Sequence, residues 1–161
     1  MSRLDSAIRR LEAQRTCLET AAAMIAEVPG PVLEFGLGNG RTFDHLRQIL
    51  PDREIFEFDR QVAAHPDCIP DDDHMILGDF RDTVPQALER VGAPAAMIHF
   101  DIGSGDAAAN AELASWMAGA TKDLLATNGV ALADQELIGS PWRTLALPDG
   151  VAPGRYFMYR A

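Results

Sequence analysis

The chain has 161 residues, 47% of them apolar and 24% charged, which is the composition of an ordinary globular protein able to bury roughly two-thirds of its unfolded surface in one core. Its 24 acidic and 14 basic side chains leave a net charge of -10, a sign that repels phosphate backbones and disfavours nucleic acid as a substrate. No apolar run is long enough to span a bilayer, and the charges in "MSRLDSAIRRLEAQ" fit neither a signal peptide nor a membrane anchor, so the expectation is a single cytoplasmic domain over residues 1–161.

Leu4, Ile8, Leu11, Leu18, Ala22 and Ile25 recur at helical spacings and predict an amphipathic helix over residues 3–27, ended by "PGP" at Pro29 to Pro31. Short apolar runs then predict strands at Val32–Gly36, Glu54–Asp59, His74–Gly78, Ala95–Asp101 and Gly129–Asp134. Helical patterns lie between them near Thr42–Leu50, Phe80–Val91 and Ala107–Ala126, the last with Leu113, Trp116, Met117, Ala120, Leu124 and Leu125 on one face. Such alternation, with nearly continuous apolar strands, predicts an α/β fold whose parallel sheet is covered on both faces. The prolines and aspartates of residues 60–73 leave room for only a short helix. Beyond Asp134, "WRTLAL" and "RYFMYR" flank "PDGVAPG" and predict an antiparallel C-terminal hairpin. Cys17 and Cys68 form no CxxC pair and read as free thiols.

The stretch "VLEFGLGNGRTFDHL" carries the strongest chemical signal. Gly36, Gly38 and Gly40 follow a predicted strand and precede a predicted helix, where backbone amides can approach a ligand at the strand ends. Their G-x-G-x-G spacing differs from the G-x-G-x-x-G of dinucleotide-binding enzymes, and the lysine and hydroxyl residue of a Walker loop are absent. Glu34, two residues before the first glycine, suits an ammonium or sulfonium better than a pyrophosphate.

The stretch resembles motif I of the class I S-adenosylmethionine-dependent methyltransferases, an acidic residue followed by x and G-x-G-x-G, and the likeness extends from about Val32 to Asp134. It implies a Rossmann-like methyltransferase sheet, mostly parallel, with a C-terminal antiparallel hairpin and an N-terminal helix. It further implies S-adenosyl-L-methionine as cofactor, held by Glu34, Phe35, Gly36, Gly38, Asn39 and Gly40. Asp59, with Arg60, matches the acidic position that binds the ribose hydroxyls. Gly78, Asp79 and Phe80 of "LGDF" match the adenine-side turn. Asp101 matches the position closing strand four beside the methyl-transfer centre. The sequence departs from the family in lacking the helix usually placed between strands five and six, where "QELIGSP" stands, and in lacking an inserted recognition domain. The N-terminal helix, "LIGSPW" and a second subunit are then the candidates for completing the acceptor pocket.

In the metal-dependent O-methyltransferases that resemble catechol O-methyltransferase, an Asp after strand four and an Asp-Asn pair after strand five hold a divalent cation. Asp101, Asp134 and Gln135 fall at those places and make Mg²⁺ a second cofactor to test, while ordinary sheet-end carboxylates are the alternative. Asp101 and Asp134 are also the candidate catalytic bases for a hydroxyl acceptor. His99, inside an apolar strand, reads as a satisfied core histidine; Glu57 reads as reaching solvent; Trp142 reads as core or pocket lining. The leading function is methyl transfer to a small-molecule acceptor, with a hydroxyl one candidate atom. A non-catalytic or regulatory S-adenosylmethionine-binding protein and a nicotinamide-dependent oxidoreductase are the rivals. The apolar stripe of the first helix predicts either a homodimer or packing on the sheet.

Overall fold

The computed structural model describes residues 2–161, and every count below refers to them. Helix α1 spans Arg3–Met24, and its start is fixed by a capping box in which Ser2 and Asp5 exchange hydrogen bonds. Strand β1 (Val32–Phe35) leads through the glycines to α2 (Arg41–Ile49), followed by β2 (Ile55–Asp59) and β3 (Met75–Leu77). Between β2 and β3 there is one 3-10 turn at Pro66–Cys68. The region predicted as one helix over Phe80–Val91 is instead α3 (Phe80–Thr83), a 3-10 turn at Val84–Gln86 and α4 (Ala87–Val91). Pro85 lies in that turn and has no N–H to continue the α-helical ladder.

Strand β4 (Ala95–Phe100) precedes α5 (Ala107–Ala120) and β5 (Leu125–Ala133). The helix expected to reach Ala126 stops earlier, because the Thr121 hydroxyl donates to the Met117 carbonyl at 2.7 Å and the chain turns there. Strand β5 therefore starts four residues before the predicted Gly129. Its entry is irregular: Asn128 has φ of 64° and the pairing with β4 shifts between Ala95 and Met97. The chain ends with β6 (Arg143–Thr144) and β7 (Phe157–Arg160), an antiparallel pair. No helix intervenes between β5 and β6.

The seven strands form one sheet in the order β3-β2-β1-β4-β5-β7-β6, parallel except for β7 against both neighbours. Alternating residues divide between two cores. Leu33, Phe35, Phe58, Ile98, Phe100 and Ala131 pack with Ala87 of α4 and Ala114 and Met117 of α5. Val32, Met97, Val130 and Leu132 pack with Cys17, Leu18 and Ala21 of α1 and Phe43 and Leu46 of α2. The first-helix stripe is split: its C-terminal half packs on the sheet, while Leu4, Ile8 and Leu11 stay exposed. Both cysteines are free thiols, and burial pushes Cys17 up to about 11. No described helix is long and apolar enough to cross a membrane.

Candidate functional site

The chain leaves β1 toward one side of the sheet and β4 toward the other, so a crevice opens at their C-terminal ends, the place where open α/β sheets bind ligands. Gly36 caps β1 there, donating to the Phe58 carbonyl at 2.8 Å, while the Asp101 amide donates to the Phe35 carbonyl at 2.9 Å. Gly36 has φ of 103°, and a Cβ at that position would collide with the Asp101 carbonyl oxygen. Only glycine lets β1 turn so close to the end of β4. Gly40, at φ of 79°, is the left-handed N-cap of α2, whereas Gly38 at φ of 52° has open space where a side chain would be.

The candidate residues gather around this loop. Asp59, at the end of β2, accepts from the Gly38 amide at 3.2 Å through Oδ2 and from the Arg60 amide at 2.6 Å through Oδ1. Its carboxylate is half-exposed and tied to the tip of the glycine loop. Asp79 caps α3 by accepting from the Arg81 amide at 2.9 Å and is exposed. Gly78 before it has φ of 149°. Phe80 is half-buried and meets Phe35 edge to face, with ring centroids 5.6 Å apart. Phe35 itself stacks on Phe100 at 5.4 Å, a rigid aromatic floor beneath the strand ends. Asn39 at the loop tip accepts from the Arg41 amide at 3.2 Å.

A cleft of about 130 Å³ lies between this loop and α1, lined by Arg10, Leu11, Gln14, Leu37, Gly38, Asn39, Arg41, Thr42 and Asp101. The half-exposed Asp101 carboxylate accepts from the Gln14 side-chain amide at 3.1 Å. Arg10 and Arg41 bring positive charge to the same cleft, so it offers both signs to a zwitterionic group. Asp134 stands after β5, with its carboxylate accepting from the Ile102 amide at 3.2 Å and the Gly103 amide at 2.8 Å. Burial and the neighbouring Asp101 charge raise its pKa above the ordinary aspartate value, against those amides.

Glu34 and Glu57 are not at the crevice surface. Both are wholly buried on the α1 side of the sheet, which corrects the expectation that Glu57 reaches solvent. Neither β1 nor β2 has a water-facing side at that level, since α1 and α2 cover it. Glu34 accepts from His99 Nδ1 at 2.5 Å, and His99 Nε2 meets the Tyr156 hydroxyl, so His99 is the satisfied core histidine its sequence position predicts. Burial opposes the charged form of Glu34, but hydrogen bonds from Glu57 and His99 outweigh it and lower its pKa. Burial, and then the Glu34 charge, push Glu57 well above the ordinary range. Burial would lower the His99 pKa, yet its bond to Glu34 leaves it raised. Trp142 is core, packed with Leu137 and Tyr159.

Of the residues considered for Mg²⁺, Asp134 accepts from two backbone amides, and the Gln135 side chain lies against it as a further partner favouring the carboxylate form. Among the described residues no three His, Cys, Asp or Glu side chains are arranged to hold an ion.

Gln14, Tyr156, Arg10 and Arg41 were not singled out by sequence reasoning. The one readable signal was Gln14, a polar residue at helical spacing from Leu11 and Leu18 on the apolar stripe.

A parallel sheet with this strand order, an antiparallel C-terminal pair and a glycine loop between β1 and α2 defines a Rossmann-like methyltransferase fold. A family model described as S-adenosyl-L-methionine methyltransferase matches residues 1–161, and the chain belongs to that family. It is similar to the S-adenosyl-L-methionine methyl transferase from Silicibacter pomeroyi DSS-3, at 44% identity and a TM-score of 0.94, over 99% of this chain and 98% of the other. A more distant likeness in fold links it to the SAH-bound Podospora anserina methyltransferase PaMTH1, at 17% identity and a TM-score of 0.58, over 99% and 79% of the two chains. Human methyltransferase-like protein 13, in complex with SAH, is similar at 15% identity and a TM-score of 0.57, over 93% and 81%. Among curated proteins none matches the chain. The protein is an S-adenosylmethionine-dependent methyltransferase.

Proposed function

We propose that this methyltransferase acts in the cytoplasm, as one domain over residues 1–161, on a small-molecule acceptor, with a hydroxyl as the favoured atom. The observation that carries the site is the convergence of three strand ends, with Asp59 of β2 bonded to the Gly38 amide and Gly36 of β1 packed against Asp101 after β4. In this reading Gly36, Gly38, Asn39 and Gly40, backed by Phe35, receive the amino-acid end of the cofactor. Asp59 and Arg60 face its ribose, Gly78, Asp79 and Phe80 its adenine, and Asp101 its sulfonium side. Glu34, expected among the cofactor-binding residues, is wholly buried and bonded to His99, so it has no direct contact with the cofactor in this reading.

A sulfonium methyl is already electrophilic, so the residues mainly align the acceptor about 3 Å from it, in line with the breaking bond. Asp134 is the better placed base for a hydroxyl proton. Two backbone amides fix its orientation, and burial raises its proton affinity. The absence of a recognition insert and the net charge of -10 support a small acceptor over nucleic acid. Exposed Leu4, Ile8 and Leu11 on α1 support a homodimer through that helix, which a doubled mass in light scattering would establish and a monomeric mass would refute.

The test is an acceptor screen reading S-adenosylhomocysteine formation over small alcohols, phenols, carboxylic acids and amines. Turnover of a hydroxyl compound that is lost in Asp134→Asn supports the proposal. Turnover only with amines, or unaffected by that substitution, overturns the hydroxyl reading.

A further inference from the structure

A chain of buried polar groups runs from the centre of the sheet to the cleft, and its hydrogen bonds lead to one place. Gln14 is 5% exposed and its side-chain amide points at both Asp101 Oδ2, at 3.1 Å, and the Tyr156 hydroxyl, at 3.4 Å. An amide nitrogen carries two hydrogens, so one serves each acceptor. The Tyr156 oxygen thus accepts from Gln14 and also bonds Nε2 of His99, whose Nδ1–H is committed to Glu34. Each bond fixes the direction of the next, from Glu34 on β1 to Asp101 after β4.

We propose that Gln14, held in place by Tyr156, is a positioning residue that fixes the Asp101 carboxylate toward the cationic side of the cofactor; this rests on the reading that Asp101 faces the sulfonium. Burying Glu34, His99, Gln14 and Tyr156 together stabilises a fold less well than apolar side chains of the same shape would. Their bonds, however, tie α1 and the C-terminal segment to a single orientation of Asp101. Asp101 has no other side-chain hydrogen-bond partner among the described residues, so without the Gln14 amide its carboxylate is free to rotate. A carboxylate aimed at a sulfonium favours S-adenosylmethionine over the uncharged thioether of S-adenosylhomocysteine, and a rotating one loses that preference.

The experiment measures the ratio of the two dissociation constants by calorimetry in the full chain, with melting temperatures to confirm folding. Asp101→Asn is expected to lower the preference for S-adenosylmethionine by about tenfold. Gln14→Met, which keeps the volume and removes the donor, is expected to reproduce most of that loss, and Tyr156→Phe about a threefold part of it. A role in packing alone would weaken both ligands equally and leave the ratio unchanged. If Asp101→Asn lowers the ratio while folded Gln14→Met and Tyr156→Phe do not, the positioning role is overturned and the Asp101 reading stands. If Asp101→Asn itself leaves the ratio unchanged, both fall.

Discussion

Glu34 and Glu57 stand opposite each other on β1 and β2, both wholly buried, and only one of the two carboxyl groups is stable as an anion. Bonding to His99 selects Glu34 for the charge, which leaves Glu57 to keep its proton.

The Glu57 pKa is raised by folding, so the group takes up a proton as the chain folds, and stability declines as pH rises from the unfolded value of about 4.5 toward the folded one. Glu57→Gln removes that penalty. Urea melts from pH 5 to 8 should show a variant whose advantage over the parent grows by up to about 1.4 kcal/mol per pH unit. A pH-independent difference would show that Glu57 is ionised in the folded chain.

Gly36 and Gly38 should respond differently to alanine. At Gly36 the methyl group strikes the Asp101 carbonyl, so Gly36→Ala should lose about 2 kcal/mol or more of stability. At Gly38 nothing lies in the way, so Gly38→Ala should cost only about 1 kcal/mol and remain folded. Its methyl group projects into the approach to the loop, and S-adenosylmethionine binding should weaken. Denaturant melts and calorimetry together separate the two outcomes.

Arg53 donates to the carbonyls of Val28 and Gly30, at 2.7 and 2.8 Å, and of Ile25, at 2.7 Å, where α1 turns into β1. These carbonyls lie beyond the last helical residue, Met24, and one guanidinium bonds all three. Arg53→Met should destabilise the chain by about 2–3 kcal/mol in chemical denaturation, with cofactor affinity little changed because Arg53 lies at the opposite end of β1 from the glycines.

Much of this architecture was legible because buried parallel strands are continuous apolar runs and the glycine loop has a fixed spacing. The sheet, its C-terminal antiparallel pair and the acids at the ends of β2 and β4 follow from those signals. The misread elements have local causes. Pro85 broke a helical pattern whose apolar period continued through it, and Thr121 ended a helix whose next residues, Leu124 and Leu125, kept the right spacing for one. Glu57 was misread because alternation along a strand does not tell a face covered by helices from one open to water. Gln14 and Tyr156 were missed because their contact joins positions 142 residues apart, which no short window contains.

Calorimetric titration of the purified protein with S-adenosylmethionine and S-adenosylhomocysteine, in the parent chain and in Asp59→Ala, shows whether the glycine loop and Asp59 form the cofactor site. Both ligands should bind the parent at micromolar concentration, and at least tenfold more weakly a folded Asp59→Ala chain that has lost its ribose partner. Undetectable binding to the parent, or equal binding to the two chains, would mean that the cofactor is not held here.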